Sequence, residues 1–296
     1  MVDSVVVALS LVPAVLWGFS PVLSKRGMAG GGSSLQAALV VVVVDSVLYW
    51  TALFVRQGVD VFAALGWEAI AVFSAAGVFG TAIGRLATFA GVHRVGASVN
   101  SAGISTRPLF ATLLAAGWLG ETVTWQTGVG IVVLVVGLIV LTISKGGDLA
   151  GWEPHEILFP IGAAAAFGLG NVLRRFALST YPDVTLLEAV ALNETAAFIV
   201  LGAYAFVATR GDVFEAPSRT YAYFAASGTI TAVALLSLYA ALQRGTVVIV
   251  DPISATAPLF TTVFAGVFLA DLERVTRGVV VGAVLVVVGV VVITLV

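Results

Sequence analysis

Polar residues in this chain are gathered into short clusters, and between them run long apolar segments at about 5–24, 35–55, 69–91, 95–118, 125–143, 157–178, 184–208, 221–242, 247–270 and 276–296. Each is close to the roughly 20 residues with which a helix crosses a hydrocarbon core of about 30 Å. The pattern predicts ten membrane-spanning helices. The links between them, such as Lys25 to Ser34, Arg56 to Asp60, Lys145 to Glu156 and Arg210 to Arg219, are too short to fold on their own. The valine-rich runs are too long and too unbroken for the alternating strands of a lipid-facing barrel, so helix is the remaining way to satisfy their backbone groups in lipid. The chain opens Met1-Val2-Asp3-Ser4 with no basic residue ahead of the first apolar run, which reads as a retained helix.

Composition agrees with lipid as the main solvent. Hydrophobic residues make up 60% of the chain and charged ones 10%, with a mean hydropathy of +1.10, where soluble domains carry about 25% charge. A net charge of -2 leaves no basic stripe for nucleic acid. Cysteine is absent, which removes disulfides and thiolate ligands, and His93 and His155 are far apart, so neither a metal nor a cofactor is expected.

A shift of 150 residues lays Arg94 on Arg244, Thr106-Arg107-Pro108-Leu109-Phe110 on Thr256-Ala257-Pro258-Leu259-Phe260, Glu121 on Asp271, Gly128 on Gly278 and Gly18 on Gly168. Compositional bias aligns valines, but not prolines and charges at one offset. The chain therefore reads as a duplication, with halves at 1–146 and 152–296. Five spans is an odd number, so the second half must enter the membrane from the opposite side. The expected architecture is an all-α integral membrane protein of ten transmembrane helices in two inverted five-helix repeats, an arrangement common among secondary transporters.

The tract Pro108-Leu109-Phe110 through Leu119-Gly120-Glu121, followed by Gln126 and Gly128, resembles the EamA-type half of the drug/metabolite transporter superfamily, as do Trp17-Gly18 and Lys25. The resemblance covers the chain twice, although Asp271 and Thr276 stand where the first half has Glu121 and Gln126. It implies export or exchange of a small metabolite across the cell membrane, with both termini in the cytoplasm. The positive-inside rule points the other way, because Arg56, Arg174, Arg175 and Arg244 on the side of the termini are outnumbered by basic residues on the opposite side. The competing classes are a channel, a structural membrane protein and an intramembrane enzyme; for the last, Gly168-Leu169-Gly170-Asn171 lacks the acid of a GxGD protease motif.

Charges within spans cost about 2.5–3.5 kcal/mol each on insertion scales and must face a partner or water. Asp45 and Glu194 lie near the middle of the second and seventh spans at repeat-related positions, while Arg85 and Arg107 sit in the third and fourth without counterparts in the second half. Two roles are open to them. The acids neutralise the arginines as helix-to-helix struts, or the four line a hydrated cavity in which an arginine holds an anionic group of the substrate and a carboxylate takes a coupled proton or ion. Asn100 is expected on the Arg107 face, two turns away, and Trp17, Tyr49, Asn171 and Tyr239 supply walls and polar contacts. Pro13, Pro21, Pro108, Pro252 and Pro258 are candidates for bends along the path. Glu121 and Asp271 are expected to complement the dipole of the helix that follows each of them. Gly77, Gly84 and Gly91 on the third span, with Thr81 and Thr88 at helical spacing between them, and Gly278 and Gly282 on the tenth, are read as small-residue packing faces.

Overall fold

The computed structural model describes residues 2–58, 65–144, 153–209, 215–268 and 277–295, without the side chains of 96–98, 209 and 265–266. Every regular element among them is helical: α1 Ser4–Ala29, α2 Ser34–Gln57, α3 Trp67–Gly77, α4 Gly84–Ile104, α5 Arg107–Leu114, α6 Trp125–Ser144, α7 Leu158–Thr180, α8 Leu186–Thr209, α9 Ser218–Arg244, α10 Val247–Ser254, α11 Ala257–Phe268 and α12 Arg277–Thr294. Two wider π-helical stretches, Val78–Ile83 and Ala115–Leu119, continue α3 into α4 and extend α5. Nine helices among the described residues are long and apolar enough to cross a membrane. The expected span at 95–118 is assembled from the end of α4, α5 and the π-helical stretch after it.

Local chemistry sets the helix ends. Asp3 accepts from the Val5 amide at 2.8 Å at the start of α1, and Ser33 and Gln36 exchange reciprocal bonds of 3.1 and 2.7 Å at the start of α2. Thr185 and Glu188 do the same for α8. Valine is a weak helix former in water, but here its exposed copies, Val280, Val281, Val284, Val287 and Val291 along α12 among them, face outward where lipid would lie. The inner face of α12 packs along α6. There an added Cβ at Gly137 would press on Val286, and one at Gly282 on Leu141. The small-residue contact of the last span thus runs through Gly282 and Gly289.

The halves interlock by exchanging first helices. Gly18 of α1 packs against Phe260 of α11, and Gly168 of α7, at the equivalent position, packs against Phe110 and Ala111 of α5. Both chain ends lie together, the Val2 amide bonding to the Thr294 carbonyl at 3.4 Å. This side of the molecule is the terminal end below; the other, where α1 gives way to α2, is the Gly30 end.

Two breaks matter for function. The helical run from α4 to α5 is interrupted at Ser105–Thr106 and the run from α10 to α11 at Ala255–Thr256, 150 residues apart. Geometry repeats at the two. The hydroxyl of Thr106 bonds back to the Gly103 carbonyl at 2.6 Å and that of Thr256 to the Ile253 carbonyl at 2.7 Å, and each threonine is followed two residues later by a proline. Proline lacks the N–H and crowds the preceding turn, so the helix reopens after the break.

Candidate substrate site

Between the breaks and the first helices of both halves lies a cavity of about 570 Å³. Its lining runs from Met28 and Ser34 at the Gly30 end down to Arg174 and Leu235, and includes no residue from the last turn of any helix at the terminal end. The cavity is accordingly entered from the Gly30 end. One wall carries hydroxyls in mutual contact: Ser20 with Ser227 at 2.6 Å, Ser24 with Ser227 at 3.1 Å and Ser20 with Thr231 at 3.3 Å. Trp17, Phe89 and Phe167 add aromatic surface.

Opposite this wall, six charged side chains of the spans converge. Asp45, Glu194 and Asp251 are fully buried, Arg174 nearly so, and Arg85 and Arg107 reach the cavity. Three charges of each sign balance overall, and the balance is made through a network. Arg174 donates to Asn193 Oδ1 at 3.1 Å, Asn171 Oδ1 at 2.6 Å and Thr81 Oγ1 at 3.1 Å, and its guanidinium lies 5.7 Å from the Tyr239 ring centre. Asn193 passes a bond of 2.9 Å to Glu194 Oε1, and the Tyr239 hydroxyl donates to Asn193 Oδ1 at 2.9 Å. At the other end Asn171 Nδ2 donates to Asp251 Oδ1, and Asp251 pairs with Arg107 at 3.1 Å. Backbone approach makes room for this. Gly80 and Gly170 place two helix backbones in direct contact beside Arg174, where a Cβ on either would strike the Cα of the other. Gly80 sits in the π-helical stretch that also presents Thr81, and such widened turns often mark functional positions.

Several polar atoms are buried with no hydrogen-bond partner: both carboxylate oxygens of Asp45, Oε2 of Glu194 and Nη1 of Arg85. They belong together, since Asp45 lies in the field of Glu194 and Arg85, and Glu194 in that of Arg85 and Arg174. Buried polar groups are rarely left unpaired, because each loses its water without replacement.

The structure rearranges part of the expected site. Asp45, Glu194 and Arg85 come together, and Arg85, Glu194, Trp17 and Asn171 line the cavity, whereas Asp45 is fully buried outside its lining. Arg107 does not pair with Asp45 or Glu194; its partner is Asp251, joined by Ser254 Oγ at 3.1 Å. Asn100 is packed against Gly91, outside the cavity lining. Tyr49 donates to the Ala232 carbonyl at 2.5 Å, and Tyr239 supports Asn193 from behind; neither lines the cavity. Arg174, expected in a link at the terminal end, is instead in the network, so fewer basic residues remain on that side. Glu121 caps a helix of the other half, not the one after it, with its oxygens on the Val247 and Val248 amides at 3.0 Å each. Asp271 lies outside the described residues. As site residues, Arg174, Asn193, Thr81 and Asp251 were missed. The signal for Asp251 was present, an acid beside a proline inside the ninth apolar run.

The sequence pattern of the EamA-like transporter family matches residues 4–143 and again residues 155–295. The chain belongs to the EamA-like transporter family. Its two matched stretches are the repeats whose first helices interlock at Gly18 and Gly168. The EamA fold also extends to a solved structure titled only "Crystal structure of protein", which superposes with a TM-score of 0.81 at 18% identity over 99% of this chain and 98% of that one. At that identity the likeness speaks for the fold. No curated protein matches the chain at a significant level. As an EamA-family protein it is a multi-pass membrane transporter.

Proposed function

We propose that this protein is a secondary transporter that moves a small metabolite across the cell membrane by alternating access, binding it in the 570 Å³ cavity. The observation that carries the reading is the pair of matching helix breaks at Thr106 and Thr256, which flank a buried cluster with unpartnered charge. Interrupted helices at corresponding positions of two halves are the usual place for a transporter's site. Ten spans in two inverted repeats would account for the adjacent termini and the exchanged first helices.

Within the cavity, Arg85 offers a free guanidinium N–H to an anionic group of the substrate, and Arg107, tethered to Asp251, a second positive wall. Glu194 on the cavity wall, with Asp45 buried in its field and outside the lining, is the group for a proton, a coupled ion or a cationic group. The polar wall of Ser20, Ser24, Ser227 and Thr231 suits a hydroxylated or amide-bearing body. Channel function fits the closed terminal end less well, because a conducting pore needs a path open at both ends.

A thermal-shift screen of metabolites on the purified protein tests the site. A ligand at 100 times its dissociation constant stabilises by about 2.7 kcal/mol. A true substrate stabilises the wild type and not Arg85→Ala, whereas equal stabilisation of both removes Arg85 from the site.

A further inference from the structure

At the terminal end, opposite the mouth of the cavity, one carboxylate and one guanidinium hold the turn between α9 and α10 from both sides. Glu121, on the link after α5 in the first repeat, accepts from the Val247 and Val248 amides at 3.0 Å each. Arg175, on α7 in the second repeat, donates to the Leu242 and Gln243 carbonyls at 2.8 and 3.1 Å, and its Nε lies 3.9 Å from Glu121 Oε1. Each charge faces the helix terminus of opposite polarity, anion to the amides that open α10 and cation to the carbonyls that end α9. The Glu121 side chain is 7% exposed and that of Arg175 26%, and a Cβ added at Gly245 would strike Val6, so the junction is closely packed at the end where the chain begins.

We propose that Glu121 and Arg175 form the latch that closes the terminal end of the cavity, and that its release lets the cavity open toward that end. The proposal rests on the alternating-access reading above. The latch crosses the boundary between the repeats, with Glu121 and its amide partners 126 residues apart, so the two halves cannot part at this end while it is intact. A cap within one helix would carry no such constraint. The carboxylate also makes no bond to the cavity network of Arg174, Asn193 and Glu194, so its loss leaves the site chemistry in place.

The chain has no cysteine, so single cysteines report directly. Leu235, the deepest apolar position of the cavity wall on α9, is replaced by Cys, and marker cysteines at Ala29 and Ser179 identify the two faces in right-side-out and inverted vesicles. The probe is a membrane-impermeant methanethiosulfonate ammonium reagent. With the latch intact, the Leu235→Cys protein reacts faster from the Ala29 face. Glu121→Gln, which removes the charge and one acceptor oxygen, raises the rate from the Ser179 face by roughly tenfold. Arg175→Gln carries the same forecast should Glu121→Gln fail to accumulate. An unchanged rate from the Ser179 face, with only a lower melting temperature, makes Glu121 a stability cap and overturns the latch. Equal rates from both faces before any latch substitution overturn the alternating-access reading itself, a result distinct from the first.

Discussion

Arg107 and Asp251 join the halves of the molecule at the floor of the cavity, and a double-mutant cycle on them separates a strut from a ligand anchor. Their nearest charged atoms are 3.1 Å apart, which at an effective dielectric of about 20 amounts to an attraction of about 5 kcal/mol. Breaking a buried pair by removing one partner typically costs about 3–5 kcal/mol, because the other charge is left without compensation. Asp251→Ala is expected near the upper end of that range, since it also strands the Asn171 amide and Asp251 is fully buried. Arg107→Ala is expected nearer the lower end, since its side chain is 14% exposed and water in the cavity can screen the acid left behind. The double variant should cost less than the sum of the two by about 2–3 kcal/mol. Reversible unfolding of the four proteins in one detergent measures the cycle. Additivity to within about 0.5 kcal/mol would refute the strut. Were Arg107 instead the anchor of an anionic substrate, its loss would raise the half-saturation constant while leaving stability nearly intact.

Asp45→Asn and Glu194→Gln should accumulate near wild-type yield but slow transport or alter its pH dependence in proteoliposomes; an unchanged rate and pH profile in both assigns the carboxylates to structure. Gly170→Ala should destabilise by about 1–3 kcal/mol, the range for overpacking, because its Cβ would meet the Gly80 backbone. Gly162→Ala, with nothing within 4 Å, should melt as the wild type does, and equal melting of the two would remove the close approach from the account. Tyr49→Phe loses the bond to the Ala232 carbonyl and should cost about 1 kcal/mol without touching transport kinetics; a changed half-saturation constant would return Tyr49 to the site.

Hydropathy made the spans legible because lipid demands long apolar helices whatever their partners, and α2, α6, α7, α8 and α9 begin and end within a few residues of expectation. The helix breaks were legible only in part: Pro108 and Pro258 align at the repeat offset and were read as candidate bends, but the spans around them were read as continuous. What periodicity cannot supply is the rotation of one helix against another. Arg107 meets Asp251, 144 positions away, rather than the repeat-related acids, because the break at Ser105–Thr106 resets the face that α5 presents. The same break separates Asn100 from Arg107, so a heptad spacing that would place them on one face of a straight helix does not apply. Asn193 escaped notice, and Thr81 was read only as part of a small-residue packing face, because neutral polar groups barely disturb a hydropathy window. Arg174, next to Arg175 near the end of α7, looked like part of a link until the neighbouring helices were seen to supply Asn171, Asn193 and Thr81 around it.

Saturable carriage through the cavity is the most direct consequence of alternating access. Purified protein is reconstituted into liposomes, and the initial uptake of a labelled ligand, identified by its thermal shift, is followed against concentration with and without the same unlabelled compound inside. Alternating access predicts a rate that saturates, that rises when the inner compartment is loaded, and that falls in Glu194→Gln. Uptake that grows linearly with concentration and ignores the inner load would contradict it.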